Sequence, residues 1–389
     1  MTPRLPWPLD DGGRIVDWQS VWAASRAYDV TLVSFVPSDV EAAPRIPVFE
    51  DLGIRVIRVP HRPTSGPGAL WNGLFGPWPY TLARYRSGEM RRVLSSLVNE
   101  TRPSFALVNH LHMATYADDL EGTPMVLRQH NLEHLWMRRY ADRLGITPAG
   151  LYARLQAGRL RDAEIALSRR AALVLAIQPG EADALRELLP SARIEVLPVG
   201  VDLGRFPDPH PAEPPIVLLA ASFAWKPNAD GALHFIRRGW PRVTARVPGA
   251  RLRVVGKDAP PSLRRAVNGI GAEPVRFAES IEGEFSRATV FVVPLWVGAG
   301  ARVKIVEAMA ARLPVAATRL AAEGLGIAPG EHYAAGDTPE AMGSQVATLL
   351  LTPELRRVFT DRGRALAEAR WSLDAVADLQ NALCREVAR

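Results

Sequence analysis

The stretch from Val290 to Leu325, VFVVPLWVGAGARVKIVEAMAARLPVAATRLAAEGL, constrains the fold more than any other part of the chain. An apolar run ends at Pro294, Gly298 and Gly300 punctuate the turn after it, and a helical pattern opens near Arg302 and carries Glu307. Ala-Arg-Leu-Pro closes that helix, and Val315 to Ala317 starts another apolar strand. A buried strand, a glycine turn, a helix and a second strand form a βαβ unit, which belongs to a parallel sheet covered by helices. A glycine turn at a helix N-terminus gathers unpaired N–H groups at the positive end of the helix dipole and so suits an anion. Arg302 and Lys304 place positive charge where it opposes that dipole. Helix stability does not account for them; an anionic ligand does.

Similar strand signals recur at Asp29–Val36, Gly53–Val59, Phe105–Asn109, Met125–Leu127, Ala172–Ile177 and Arg193–Pro198. They recur again at Ile216–Ala220, Ala250–Val255 and Val275–Phe277. A long Arg-rich helix is expected over Leu151–Ala172. The proline-dense run Phe206–Pro215 cannot build the interior of a strand or helix, so it marks a boundary. The expected division is an N-terminal domain over 1–204, a linker over 205–215, a second domain over 216–370 and a terminal helical segment over 371–389. A chain of 389 residues is long enough for two α/β domains.

Composition narrows the function classes. No run of about twenty apolar residues predicts a membrane span, and no apolar leader precedes Asp10 and Asp11. The single Cys384 excludes an internal disulfide and a cysteine-based zinc site. These features predict a cytoplasmic protein. The net charge of +6 comes almost entirely from arginine; the lysines are Lys226, Lys257 and Lys304. Such a balance suits nucleotide diphosphates, lipid phosphates or an anionic membrane face. No basic block with interleaved aromatics points to nucleic acid, and neither a Walker loop nor a Gly-x-Ser-x-Gly elbow occurs.

The run Pro294-Leu-Trp-Val-Gly-Ala-Gly-Ala-Arg-Val-Lys-Ile-Val-Glu307-Ala-Met resembles the donor-binding segment of one branch of the retaining family-4 glycosyltransferases. The first glutamate of the wider family pattern is replaced by Ala299. The resemblance implies the GT-B fold: two Rossmann-like α/β domains facing a central cleft, with a C-terminal helix crossing back to the N-terminal domain. It implies a donor diphosphate on the Gly298–Arg302 turn, ribose hydroxyls on Glu307, and donor contacts from the backbone of Glu323, Gly324 and Leu325. The segment from Ser222 to Asp230, with Lys226 and Asn228, resembles a second donor-side motif of the branch. The usual arginine and lysine there are absent, so Lys226, Arg302 or Lys304 would supply the charge. Val199 likewise stands where many members have asparagine. No Asp-x-Asp occurs, which disfavours the metal-dependent GT-A mode, and no metal cofactor is expected.

On the N-terminal side, Gly12 and Gly13 resemble the family's first loop. A family strand should precede that loop, yet Met1 lies almost on it: either the sheet lacks the strand or the true start lies upstream. His110 and His130 end two apolar strands, where ligands gather in open α/β sheets. His130 resembles the family's sugar-facing histidine, and Asn131 and Glu133 complete a His-Asn-x-Glu pattern. His130 and Glu307 are the expected catalytic pair, with Gly12, Gly13, His110, Asn131 and Glu133 on the acceptor side. A zinc site from His110, His112 and His130 is disfavoured because no acidic cluster accompanies it in the sequence. Trp71, Phe75, Trp78 and Tyr80 fit an acceptor lining, a membrane contact or a loop's own small core. The resemblance implies metal-independent transfer of a hexose-type sugar from a nucleotide-diphosphate sugar to a glycan, lipid-linked or small-molecule hydroxyl. A nucleotide-sugar epimerase and a silent sugar-nucleotide-binding partner protein are the alternatives.

Overall fold

The computed structural model describes residues 1–9, 12–223, 225–275, 278, 280–296 and 302–388, the side chains at 143, 274, 275 and 302 excepted. Two compact units divide the chain: residues 1–200 with 376–389, and residues 201–375.

In the first unit the chain begins with helix α1 (Gly12–Ser25) and strands β1 (Thr31–Val36) and β2 (Arg55–Pro60). Helix α2 (Pro67–Phe75) follows, then β3 (Ala106–Asn109) and β4 (Met125–Gln129). Helices α3 (Glu133–Leu144) and α4 (Pro148–Ser168) pack together as a hairpin before β5 (Leu173–Ala176) and β6 (Ile194–Val196). All pairings are parallel, in a two-stranded β1-β2 sheet and a four-stranded sheet of order β3-β4-β5-β6. Val126, Leu173 and Leu175 face one apolar layer, whereas Val174 and Ala176 face another. That alternation lets a nearly all-apolar strand serve both faces of a covered sheet.

The second unit builds one parallel sheet from β7 (Ile216–Ala220), β8 (Arg251–Val255), β9 (Pro274–Val275), β10 (Val290–Val293), β11 (Val315–Ala317) and β12 (Ala334–Ala335). Helix α5 (Lys226–His234) follows β7, and helix α6 (Arg302–Ala310) lies between β10 and β11. The six strands run β12-β11-β10-β7-β8-β9. The order reverses direction between β7 and β10, the topological switch point at which ligands of such sheets bind. Val217 and Leu219 face one layer of the core and Leu218 and Ala220 the other, with Val290/Val292 and Phe291/Val293 alternating in the same way. Helix α7 (Leu373–Val387) ends the chain, and from Val376 onward it belongs to the first unit. There it places Val376 and Cys384 against Val126 and Leu175.

The strands expected at Ile216–Ala220, Val290–Val293 and Val315–Ala317 are found with those bounds. The long helix starts earlier than expected, at Pro148, because Thr147 caps it by accepting from the Gly150 N–H, and it ends earlier, at Ser168. The strand expected over Val275–Phe277 is seen at Pro274–Val275; residues 276 and 277 lie outside the described residues.

Candidate active site

The first unit gathers its chemistry where β3 and β4 end. Asn109 pairs with Arg128 in the ladder, so His110 and His130 leave the sheet side by side. Their rings lie 3.7 Å apart between centroids and 34° from parallel. Asp17 of α1 faces both: its carboxylate lies 3.2 Å from His110 Nε2 and 3.3 Å from His130 Nε2, and its side chain is fully buried. His110 holds φ 68° and ψ 144°, a left-handed conformation that costs a non-glycine residue on the order of 1–3 kcal/mol. Such strain persists where the surroundings fix the residue, and the Asp17 contact is one that does so.

Electrostatics define the protonation of this group. Burial alone would raise the Asp17 pKa, but His110, and then His130, hold it well below the ordinary carboxylate range. Burial, reinforced by His110, pushes His130 down to about 4, and burial pushes His112 down to about 3. At neutral pH the group is therefore an anionic carboxylate beside a neutral His130. Asp17, His110 and His130 also offer three ligand atoms within 4.8 Å of one another, a set able to hold a metal ion. The sequence expectation that these histidines lack a nearby carboxylate is thus corrected: Asp17 is remote in sequence and adjacent in space.

Arg128, the β4 residue that pairs with Asn109, is fully buried. It donates to Ser20 Oγ on α1, to Gln380 Oε1 on α7 at 3.3 Å and to the Pro198 carbonyl at 3.2 Å. Beyond β4, the Glu133 N–H donates to Glu164 at 3.2 Å, and Glu164 also pairs with His134. Burial, then the Glu164 charge, pushes the Glu133 carboxyl up to about 7. Glu133 can therefore hold or release a proton near neutrality. Asn131 is exposed. Gly12 opens α1, with free space where a Cβ would lie, and Gly13 follows it half-buried.

The second unit places its candidates at the switch point. Asn228 fixes the turn after β7: its Nδ2 donates to the Ser222 carbonyl at 2.9 Å and its N–H to the Trp225 carbonyl at 3.0 Å. Lys226 reaches Asp230 at 3.0 Å, one helical turn on, in an exposed ion pair. Helix α5 meets the end of β10 at Gly231, where a Cβ would lie 1.9 Å from the Pro294 carbonyl oxygen. Glu307 on α6 is mostly buried, at 17% side-chain exposure, and lies 3.8 Å from Arg205. Arg205 is itself held by Glu282, Nε to Oε1 at 2.6 Å. Burial raises the Glu307 pKa, partly offset by Lys304 and Arg205.

After β11, Thr318 caps the short helix Arg319–Ala322, and its Oγ1 donates to the Leu295 carbonyl at 2.5 Å. Glu323, exposed, ends that helix; Gly324 follows with φ 77°, and the Leu325 N–H returns to the Ala322 carbonyl at 3.2 Å. Gly298 and Gly300 lie outside the described residues, as does the Arg302 side chain.

The sequence reading missed Asp17, Arg205 and Glu282. Asp17 left one signal: Val16, Ser20, Val21 and Ala24 surround it on the buried side of α1, so an acid interrupts a face that is otherwise apolar or small.

Residues 12–200 match the family model described as a glycosyl transferase 4-like domain, and residues 214–352 match that described as glycosyl transferases group 1. No curated protein matches the chain. Among solved structures, sucrose-phosphate synthase from Thermosynechococcus elongatus is similar at 19% identity and TM-score 0.65, over 99% of this chain and 98% of that one. HepE from Anabaena, solved with UDP and glucose, is similar at 13% identity and TM-score 0.62, over 99% and 98%. A glycosyltransferase from Rickettsia africae is similar at 11% identity and TM-score 0.64, over 100% and 98%. A 4-like domain followed by a group 1 domain, on two parallel α/β units, makes this chain a glycosyltransferase of the GT-B fold and of the group 1, family-4-like type.

Proposed function

We propose that the protein is a retaining, metal-independent transferase that moves a sugar from a nucleotide-diphosphate sugar to an acceptor hydroxyl in glycan, glycolipid or glycosylated-metabolite synthesis. The observation that carries the donor assignment is Glu307, a mostly buried carboxylate on the helix after β10 at the switch point. A carboxylate there accepts from paired ribose hydroxyls, and the start of α6 suits the diphosphate. HepE, which shares the fold, was solved with UDP and with UDP-glucose. Charge grows on the leaving diphosphate as the glycosidic bond breaks, so fixed N–H groups and cations aimed at it stabilise the transition state more than the ground state. In the first unit, Asp17 orients the His110 ring and the neutral His130 ring for sugar hydroxyls.

The same reading includes a peripheral contact with an anionic membrane on the cytoplasmic side. Its support is a set of exposed apolar side chains on α2, α3 and α4, Trp71, Phe75, Trp136 and Tyr140 among them. No helix among the described residues is long and apolar enough to cross a membrane.

Thermal shift with a panel of nucleotide diphosphates and their sugars, with and without chelator, tests the donor assignment. One base should stabilise the parent and fail to stabilise Glu307→Ala, and chelator should change neither binding nor turnover. Equal stabilisation of parent and variant would remove Glu307 from the site. Loss of turnover in chelator would instead assign an essential ion to Asp17, His110 and His130.

A further inference from the structure

Asp17, His110 and His130 come from three different elements, yet their ligand atoms converge. Helix α1 carries the carboxylate, and the chain leaving the paired strands β3 and β4 carries the rings. One carboxylate oxygen, Oδ2, lies 3.2 Å from His110 Nε2, and the other, Oδ1, lies 3.3 Å from His130 Nε2. These two approaches differ in kind. His110 Nε2 and Oδ2 form a hydrogen bond. Asp17 Oδ1 and His130 Nε2 do not: both atoms are buried, and neither has a hydrogen-bond partner among the described residues. In the tautomer that carries its proton on Nδ1, His130 aims a lone pair at the same point as the Asp17 oxygen. Two buried acceptors facing each other cost free energy, and a cation between them recovers it. Asn109 Oδ1 and Nδ2 and His112 Nδ1 are likewise buried without a partner, so the fold does not satisfy this end of the sheet with its own groups.

The donor set selects the ion. Mg²⁺ and Ca²⁺ take oxygen ligands, whereas two imidazole nitrogens with one carboxylate suit Zn²⁺ and the transition metals beside it. The three ligand atoms lie within 4.8 Å of one another. Ligand atoms about 2.0–2.1 Å from a tetrahedral ion stand about 3.3 Å apart, which is close to both short approaches seen here. Three protein ligands leave a fourth position open. Solvent reaches the set from the His110 side, whose side chain is 15% exposed against 5% for His130 and 0% for Asp17. Buried Arg128 acts on Asp17 through its charge and so weakens a bound ion. Its hydrogen bonds go to Ser20, Gln380 and Pro198, however, and leave the Asp17 oxygens to the rings.

We propose that Asp17, His110 and His130 form a binding site for a zinc-class divalent cation, and that the bound ion inhibits the protein by covering the groups that face sugar. The site itself stands apart from the transferase reading, because it is read by ion binding; the inhibitory role rests on that reading. Once bound, the ion holds the lone pairs that would otherwise meet sugar hydroxyls, so ion and sugar exclude each other. The ion then acts as a brake on a reaction that runs without it.

Equilibrium dialysis of the full chain, stripped with chelator and then exposed to Zn²⁺ alone, reads the site directly. One ion per chain should be retained, and Zn²⁺ at about a hundredfold over its Kd should raise Tm by roughly 5 °C or more. His110→Gln and His130→Gln should each weaken binding by about tenfold or more, because each removes a ligand. His210→Gln removes an exposed histidine outside the set and should leave binding unchanged. His110 is the less buried of the two ligand histidines, so its variant keeps the test open where His130→Gln does not fold. Mg²⁺ in about a hundredfold excess should not displace Zn²⁺. In a transfer assay Zn²⁺ should inhibit with half-effect at the Kd found by dialysis, and chelator should reverse it. No retained ion, or equal retention by parent and both ligand variants, would overturn the site. Turnover that rises with Zn²⁺ would overturn the inhibitory role. One ion bound per chain, with no turnover at any Zn²⁺ level or in chelator, would remove the transferase reading and leave the site established.

Discussion

At the scale of single residues, buried carboxylates decide most of the chemistry in the first unit. Asp17 stays ionised because two imidazoles face it, whereas Glu133 is pushed to about 7 by burial and by the nearby Glu164. The sign of the Glu133 effect follows from linkage. Its folded pKa lies above the unfolded value of 4.5, so the folded state binds more protons between the two. Its contribution to stability is complete below pH 4.5 and is lost as pH rises through 7. Glu133→Gln mimics the protonated form. It should match the parent in unfolding free energy by urea titration near pH 4.5 and exceed it by roughly 1–3 kcal/mol at pH 8. Parallel pH profiles for the two proteins would show that Glu133 is not held in a proton-favouring site. The histidines of the group were legible in the sequence because polar residues ending two apolar strands stand out. Asp17 was not: one acid in an amphipathic helix reads as solvent-facing, and only its spacing against Val16, Ser20 and Val21 says otherwise.

At the scale of elements, the second unit was the most legible. The apolar runs at Ile216–Ala220 and Val290–Val293 pack on both faces, so their composition alone gives strand and depth. Helix α2 was hidden, because Pro67, Gly68 and Gly73 read as loop punctuation. Pro67 in fact sits at the helix start, where its missing N–H costs nothing, and Gly73 lets Tyr80 and Tyr152 approach closely. Lys226 has a local partner that the sequence pattern leaves unmarked, Asp230, one turn along α5. Close approach also sets what α5 tolerates. At Gly231 a methyl group would fall 1.9 Å from the Pro294 carbonyl oxygen, an atom fixed at the end of β10. Gly231→Ala should therefore destabilise by about 2 kcal/mol or more, despite the better helix propensity of alanine. Gly180 makes the matching control, since nothing lies within 4 Å of its Cβ position in the helix Pro179–Leu188. Gly180→Ala should gain about 0.5–1 kcal/mol. Denaturant midpoints for the pair decide the point; a neutral Gly231→Ala would mean that α5 and β10 can slide apart.

At the scale of the whole molecule, exposed apolar surface is unevenly placed. Leu70, Trp71 and Phe75 on α2, Trp136 and Tyr140 on α3, Ile146 in the turn between α3 and α4, and Leu151 and Leu155 on α4 make up more than half of the large exposed apolar side chains among the described residues. The three helices are held side by side. Tyr152 donates to the Leu70 carbonyl and Gln156 to the Gly73 carbonyl, tying α4 to α2, while α3 packs along α4 as a hairpin. Trp71 contacts Phe75 at 4.5 Å, and Trp136 stacks on Tyr140 at 5.7 Å. Arg138, Arg139, Arg154 and Arg161 are exposed on α3 and α4. Aromatic rings beside arginine suit the headgroup region of an anionic bilayer, where rings enter the interface and each cation gains from the surface potential. Sedimentation with vesicles tests this. Binding should need anionic lipid and weaken with salt, and Trp71→Ser with Trp136→Ser should lower it by about tenfold or more, since burying one aromatic ring is worth on the order of 1.5–3 kcal/mol. Both tryptophans are exposed, so the double variant should keep the parent's Tm within a few degrees. Equal binding to neutral and anionic vesicles, or no loss in the double variant, would leave the face without a membrane role and turn attention to a soluble acceptor that covers it.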